Sequence, residues 1–93
     1  MNNIIEINNQ KYEIITNYRD AIDSDEISIK LTDYFANYDY IVGDWAYNKL
    51  RLKGFCDNSN SLFKENNDVK IINKYIKENC AFGCKWFNLR KIK

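Results

Sequence analysis

Cysteines are the side chains of this 93-residue chain that most directly could do chemistry. Cys80 and Cys84 stand four positions apart, and two thiolates could bind zinc or form a redox pair. Zinc needs three or four ligands, however, and the chain has no histidine, so Cys56 and either a carboxylate or a second chain would have to complete such a site. Because free cysteines are among the most buried residue types, the sequence favours packing cysteines and no metal or other cofactor.

The acidic side chains were considered as catalytic groups: Asp20, Asp39, Asp44 and Glu78. None of them stands beside a histidine, and the sequence has neither a nucleophile-elbow serine nor a glycine-rich phosphate loop. The sequence therefore favours a non-catalytic protein with no catalytic residues. A thiol- or metal-dependent enzyme is left as the third alternative.

Size and composition predict a single domain over residues 1–93. With 45% hydrophobic and 15% aromatic residues, the chain can bury a core without cross-links. No apolar run approaches the roughly 20 residues needed to span a bilayer, and the start lacks a secretion signal. Together with an odd number of cysteines, three, this predicts a reduced, cytoplasmic protein with no membrane partner.

The charges are unevenly divided along the chain. Residues 1–48 hold three basic and nine acidic side chains, hence −6, whereas residues 49–93 hold eleven basic and four acidic ones, hence +7. Such asymmetry can indicate a nucleic-acid partner. Alternatively, the two halves neutralise one another within the folded domain.

The elements that must position these residues follow from periodicity. Two strand-like runs flank the turn-like "NNQK", which predicts an opening hairpin. Asp23 and Glu26 resemble a capping box, and helical spacing of apolar residues follows to about residue 37. A second helix begins after Asn67 or Asp68 and ends before Gly83, which suits the left-handed position just past a helix end, and a last strand follows. We therefore predict an α+β domain in the order β-β-α-β-β-α-β, with two helices on one face of a mainly antiparallel sheet.

The stretch "YDYIVGDWAYNKLRLKGFC", residues 38–56, predicts the central hairpin. With a four-residue loop at 45–48, Asp44 would face Lys49. Strand faces alternate with period two, so Ile41, Leu50 and Leu52 would point to the core. The intervening basic side chains would then point to the opposite surface.

That opposite surface carries the leading functional hypothesis. Aromatic side chains interleaved with cations on an open sheet face are how single-stranded nucleic acids are held, because bases stack on rings and phosphates pair with cations. The sequence predicts a nucleic-acid-binding protein, RNA being the expected ligand, through five residues: Tyr40, Arg51, Lys53, Trp86 and Arg90. An ordinary solvated sheet face is the alternative reading of the same residues.

A second hypothesis is a protein–protein interaction adaptor. Large aromatic side chains are typical anchors of protein interfaces. In this reading Trp45, Tyr47 and Trp86 anchor a cytosolic protein partner, and the acidic half of the chain meets a basic surface.

Three segments resemble the YutD-like family of small bacterial proteins from Firmicutes: "NYRDAID" at 17–23, "YDYIVGDWAYNKLRLKGF" at 38–55 and "ENCAFGCKWF" at 78–87. The resemblance covers most of the chain in the right order. It implies a small cytosolic protein, sometimes labelled a transcriptional regulator, although nothing here resembles a helix-turn-helix. The departures from the family pattern are Ala46, Cys56 and Lys85.

Overall fold

The computed structural model describes residues 3–79 and 84–92. The strands are β1 (Ile4–Ile7), β2 (Gln10–Tyr18), β3 (Tyr40–Ala46), β4 (Lys49–Phe55) and β5 (Trp86–Lys91); the helices are α1 (Ser24–Lys30) and α2 (Ile72–Asn79). The five strands form one sheet in the order β1-β2-β5-β3-β4, and all neighbours are antiparallel. The predicted α+β class and element order are confirmed. No helix among the described residues is long and apolar enough to cross a membrane.

Both hairpins close through two-residue turns in left-handed backbone conformations. Asn8 and Asn9 have φ of 53° and 68°, and Tyr47 and Asn48 have φ of 53° and 64°. Two positive φ values are typical of the type I′ turn, whose twist matches that of the strands it joins. The predicted four-residue loop at 45–48 is therefore wrong.

The register of the central hairpin consequently differs from the predicted one. Asp44 pairs with Arg51 instead of Lys49, and Val42 pairs with Lys53. Because the shift is two residues, each side chain keeps the face that the alternation predicted.

Helix α1 is shorter than the predicted helix, which extended to about residue 37. Its start is as expected, since Asp23 accepts a hydrogen bond from the N–H of Glu26. It ends at Lys30 because the side-chain amide of Asn8, in the first hairpin turn, donates to the carbonyls of Ser28 and Leu31. A 3-10 turn at Asp33–Phe35 then presents the next aromatic residues.

The helices pack on opposite faces of the sheet, not on one face as predicted. On the α1 face, Ile27 and Leu31 cover a core that includes Ile41, Phe87 and Leu89. Gly43 faces the same core, where an added Cβ would lie 2.1 Å from the Phe87 ring, so this strand position requires glycine.

The α2 face has its own, smaller core. Val42 and Phe55 are buried there under Ile72, with Tyr75 and Ile76 packed around them. The prediction of one covered face failed because Val42 and Phe55 share the alternation of the basic residues, and their apolar surface also needs a cover.

Candidate functional site

The five residues of the RNA hypothesis lie on the α2 face. Tyr40 pairs with Arg90 and Asp44 with Trp86 across β3 and β5, whereas Val42 pairs with Lys53 and Asp44 with Arg51 across β3 and β4. Paired residues share a face of the sheet. The structure thus brings together the residues that the sequence singled out, but it places α2 over part of that face.

We call the β3–β4 part of the α2 face the covered half: Val42, Asp44, Arg51, Lys53 and Phe55. We call the remainder the open half: Ile4, Glu13, Tyr18 and Arg90, together with Ile15, the bulged residue of the neighbouring strand β2. Trp86 and Asn88 of β5 lie on the boundary, since Trp86 packs against the core under α2. Tyr40 also packs against that core and is half-buried.

An ion pair dominates the covered half. Arg51 Nη2 donates to Asp44 Oδ2 at 2.5 Å and Nε donates to Oδ1 at 3.2 Å, while Nη2 also donates to the carbonyl of Asn79 at 3.1 Å. The Asp44 side chain is only 2% exposed. The hydrogen bonds between Arg51 and the carboxylate of Asp44 raise the pKa of the Arg51 guanidinium. Most of the donor capacity of Arg51 is therefore used inside the protein.

Lys53 lies against aromatic rings of the covered half. Its Nζ is 5.5 Å from the ring centroid of Phe55 and 5.7 Å from that of Tyr75. These distances allow cation–π attraction. Burial raises the pKa of the Tyr75 phenol, which keeps that ring neutral beside the lysine.

On the open half, the predicted phosphate-binding arginine also has a carboxylate partner. Arg90 Nη2 lies 2.5 Å from Glu13 Oε1, and both side chains are partly exposed. An exposed pair of this kind contributes only about 0–1 kcal/mol. Its charges can therefore be re-paired at little cost, unlike those of Asp44 and Arg51.

Exposed apolar side chains accompany this ion pair. Ile4, Ile15 and Tyr18 are 44–48% exposed, and Ile4 and Tyr18 lie on the face that carries Glu13. The register between β2 and β5 shifts between Ile14 and Thr16, so Ile15 is the extra, exposed residue of a bulge between them. The sequence pattern did not predict this surface. The adjacent pair of isoleucines in "YEIIT" could have indicated it, because two neighbouring apolar residues interrupt the alternation of apolar and polar residues along a strand.

Asn88 marks the boundary of the two halves. It is 7% exposed, between Val42 on β3 and Thr16 on β2, and its Oδ1 has no hydrogen-bond partner among the described residues. A buried amide oxygen without a partner costs about 1–3 kcal/mol.

The three aromatic residues of the adaptor hypothesis do not form one surface. Trp45 packs on the α1 face, where its Nε1 donates to the carbonyl of Ala21 at 2.8 Å and Lys85 Nζ lies 4.7 Å above its ring. Trp86 lies on the opposite face. Tyr47 projects from the hairpin turn and is 98% exposed.

The cysteines are only partly described. Cys56 is a free, fully buried thiol, and burial raises its pKa. Cys84, before β5, is disulfide-bonded, so the expectation of reduced cysteines fails at that position. Cys80 lies outside the described residues, and the weak metal candidate formed by Cys80 and Cys84 is not tested. Within residues 3–79 and 84–92, no three potential metal ligands cluster.

Comparisons with known proteins extend the resemblance seen in the sequence. A family model described as "Putative antitoxin YutD-like" matches residues 6–90. The curated protein "Putative antitoxin YutD" of Bacillus subtilis is 38% identical over 90 residues, which cover 97% of this chain and 99% of the relative. The solution NMR structure of B. subtilis yutD superposes with a TM-score of 0.77, covering 97% of this chain and 82% of that one. The chain therefore belongs to the YutD-like family.

Proposed function

We propose that this protein is a non-catalytic regulator that acts by binding another protein, and that the open half of the α2 face is its contact surface. The observation that carries the proposal is the group of exposed apolar residues Ile4, Ile15 and Tyr18 beside the half-buried Trp86. Exposed apolar groups rimmed by polar residues are typical of interaction sites. The Glu13–Arg90 pair supplies such a rim.

The family supports a protein partner. The B. subtilis relative is named "Putative antitoxin YutD", and this name suggests a protein partner. At the boundary, the half-buried Trp86 offers the type of aromatic anchor that dominates many interfaces.

The RNA hypothesis is the second candidate. Its support is that Tyr40, Arg51, Lys53, Trp86 and Arg90 share one face. It requires two arginines to exchange their carboxylates for phosphates, which is inexpensive for Arg90 and costly for Arg51 because Asp44 would be left buried and unpaired. The stacking positions Tyr40 and Trp86 would also have to detach from the core under α2.

Capture of partners from the cells that make the protein tests the proposal, with and without nuclease. We expect a protein at fixed stoichiometry that nuclease does not release. Ile15→Asp should abolish capture, because the carboxylate enters the apolar contact. Ile29→Asp is the matched control, since Ile29 is 71% exposed on α1, on the other side of the sheet.

Two results would contradict the proposal. One is release by nuclease; the other is equal loss of capture in both isoleucine variants. Binding of single-stranded polyuridylate by the purified protein would instead support the second candidate, if the affinity falls with salt at a slope near −2, as expected from three contacts releasing about 0.7 counterion each.

A further inference from the structure

Strand β4 forms one edge of the sheet, and its outward backbone groups are unpaired along much of its length. At its end, the N–H of Cys56 donates to the carbonyl of Asn67 and the carbonyl of Cys56 accepts from the N–H of Val69, so the backbone of Cys56 points away from β3. The carbonyl of Phe55 points to β3, since it accepts from Asp39. Backbone direction alternates along a strand, and the groups of Leu52 and Gly54 therefore also point outward.

No described residue hydrogen-bonds to those outward groups of Leu52 and Gly54. An edge of this kind is a template for pairing with another strand. The segment around Asp68 already uses it in this way, because it forms a parallel bridge to Cys56.

The edge lies in a cleft of about 690 Å³. One wall belongs to the α1 face, where Tyr38 packs over Gly54 and Tyr34 stands 5.6 Å from Tyr38 between ring centroids. The other wall belongs to the α2 face and contains Tyr75. A strand inserted against β4 would thus have side-chain pockets on both sides.

The two walls differ in charge. Beside the outward groups, Leu52 and the two tyrosines make the α1 side apolar and aromatic, whereas Arg51 and Lys53 make the α2 side basic. Lys64 adds a third cation, and no carboxylate is among the residues that line the cleft. Arg51 is neutralised by Asp44, which leaves Lys53 and Lys64, within the described residues, as the unpaired cations of the cleft lining. Glu65 and Glu78 line the adjoining cavity on the other side of Lys53, not the cleft itself.

We infer that β4 accepts an extended protein segment in which acidic and apolar side chains alternate. Successive side chains of a strand point to opposite faces, so the acidic ones would meet Lys53 while the apolar ones contact Leu52 and the tyrosines. A second copy of this chain fits poorly, because pairing two β4 edges would oppose basic residues. The inference rests on the proposed function only in that the occupant is a protein; its surface is separate from the open half.

A peptide-binding measurement tests this directly with the purified full-length protein. The probe is a fluorescein-labelled synthetic peptide of about ten residues in which glutamate and valine alternate, a length typical of a long strand. We expect saturable binding by fluorescence anisotropy at pH 7 and low salt, and none for the lysine–valine counterpart. Two further peptides carry N-methyl groups, one at its odd-numbered and the other at its even-numbered backbone nitrogens. Only one of the two should lose binding, because only one set of N–H groups faces β4.

Variants of the protein locate the peptide. Lys53→Glu should weaken its binding by about tenfold or more, whereas the matched control Lys70→Glu, an exposed lysine before α2, should change it by less than about twofold. Leu52→Pro should also abolish binding, since it removes an outward N–H. If this variant does not fold, hydrogen exchange on the unmodified protein provides the same test. The amides of Leu52 and Gly54 should exchange fast without the peptide and slowly when the peptide is bound.

Several outcomes would overturn the inference. The first two are equal binding of the acidic and basic peptides, and unchanged binding of both N-methylated peptides. The others are slow exchange of the Leu52 amide without peptide, and a concentration-dependent dimer that Lys53→Glu strengthens. The proposed function fails separately, because it predicts capture of a partner that depends on Ile15 and need not depend on Lys53.

Discussion

The covered and open halves of the α2 face carry similar residues and differ in what those residues contact. Each half contains an arginine paired with a carboxylate and at least one β-branched apolar side chain. In the covered half, Asp44 is 2% exposed and Val42 is 1% exposed. In the open half, Glu13 is 40% exposed and Ile15 is 48% exposed.

This difference shows that the face on which a side chain lies does not determine its role. Period-two alternation assigned Val42, Arg51 and Arg90 to one face correctly, but the presence of α2 decides which of them serve stability. The half without that helix is the part of the face available to a partner. Matched substitutions in the two halves therefore separate folding from binding.

The largest effect is expected for an aspartate placed at equivalent positions of the two halves. Val42→Asp should destabilise the protein by about 4 kcal/mol or more, because it buries an unpaired carboxylate. Ile15→Asp should cost about 1 kcal/mol or less, since its side chain meets water. Urea unfolding followed by circular dichroism measures both. Similar losses in the two variants would mean that the open half is packed in solution.

The two ion pairs give the next largest contrast. Arg51→Ala should cost about 2–3 kcal/mol, less than for a fully buried pair because Arg51 is half-exposed, while it leaves Asp44 buried without its partner. Arg90→Ala should cost about 0–1 kcal/mol. Unfolding midpoints at unchanged slope provide the comparison.

A second substitution identifies the cause. Adding Asp44→Leu to Arg51→Ala should recover most of the lost stability, because the unpaired carboxylate is then removed and its site becomes apolar. If the double variant is less stable than Arg51→Ala, the stability lost in Arg51→Ala comes from the packing of the arginine side chain and not from the unpaired carboxylate of Asp44.

The sequence predicted the parts of the fold that depend on local pattern. The strand order along the chain, the Asp23 cap and the face of each β4 residue follow from capping chemistry and alternation, and they are confirmed.

The features that depend on distant contacts were not predictable in this way. Helix α1 ends where Asn8 caps it from another turn, a contact between residues 20 and more positions apart. The hairpin turn is short because Tyr47 accepts a left-handed conformation that is uncommon for an aromatic residue. The same limit applies to the site: shared position on a face was predictable, whereas the Asp44–Arg51 pair depended on a register set by that turn.

The smallest expected effect concerns the buried thiol of Cys56, at the end of β4. Burial raises its pKa above the ordinary value of 9.0, so the folded state favours the protonated thiol. The stabilisation that the buried, protonated thiol provides is fully present below about pH 9, and it is lost as the pH rises through the raised pKa of Cys56. The difference in unfolding free energy between the protein and Cys56→Ala should therefore shrink only above pH 9. At pH 8, N-ethylmaleimide should leave Cys56 unmodified in the native protein, as shown by peptide mass mapping, and should modify it in urea. Ser59→Cys, at an exposed position that follows β4, is the control that should react without urea. Rapid native modification of Cys56 would show that the end of β4 opens to solvent and that the covered half is less closed than its contacts indicate.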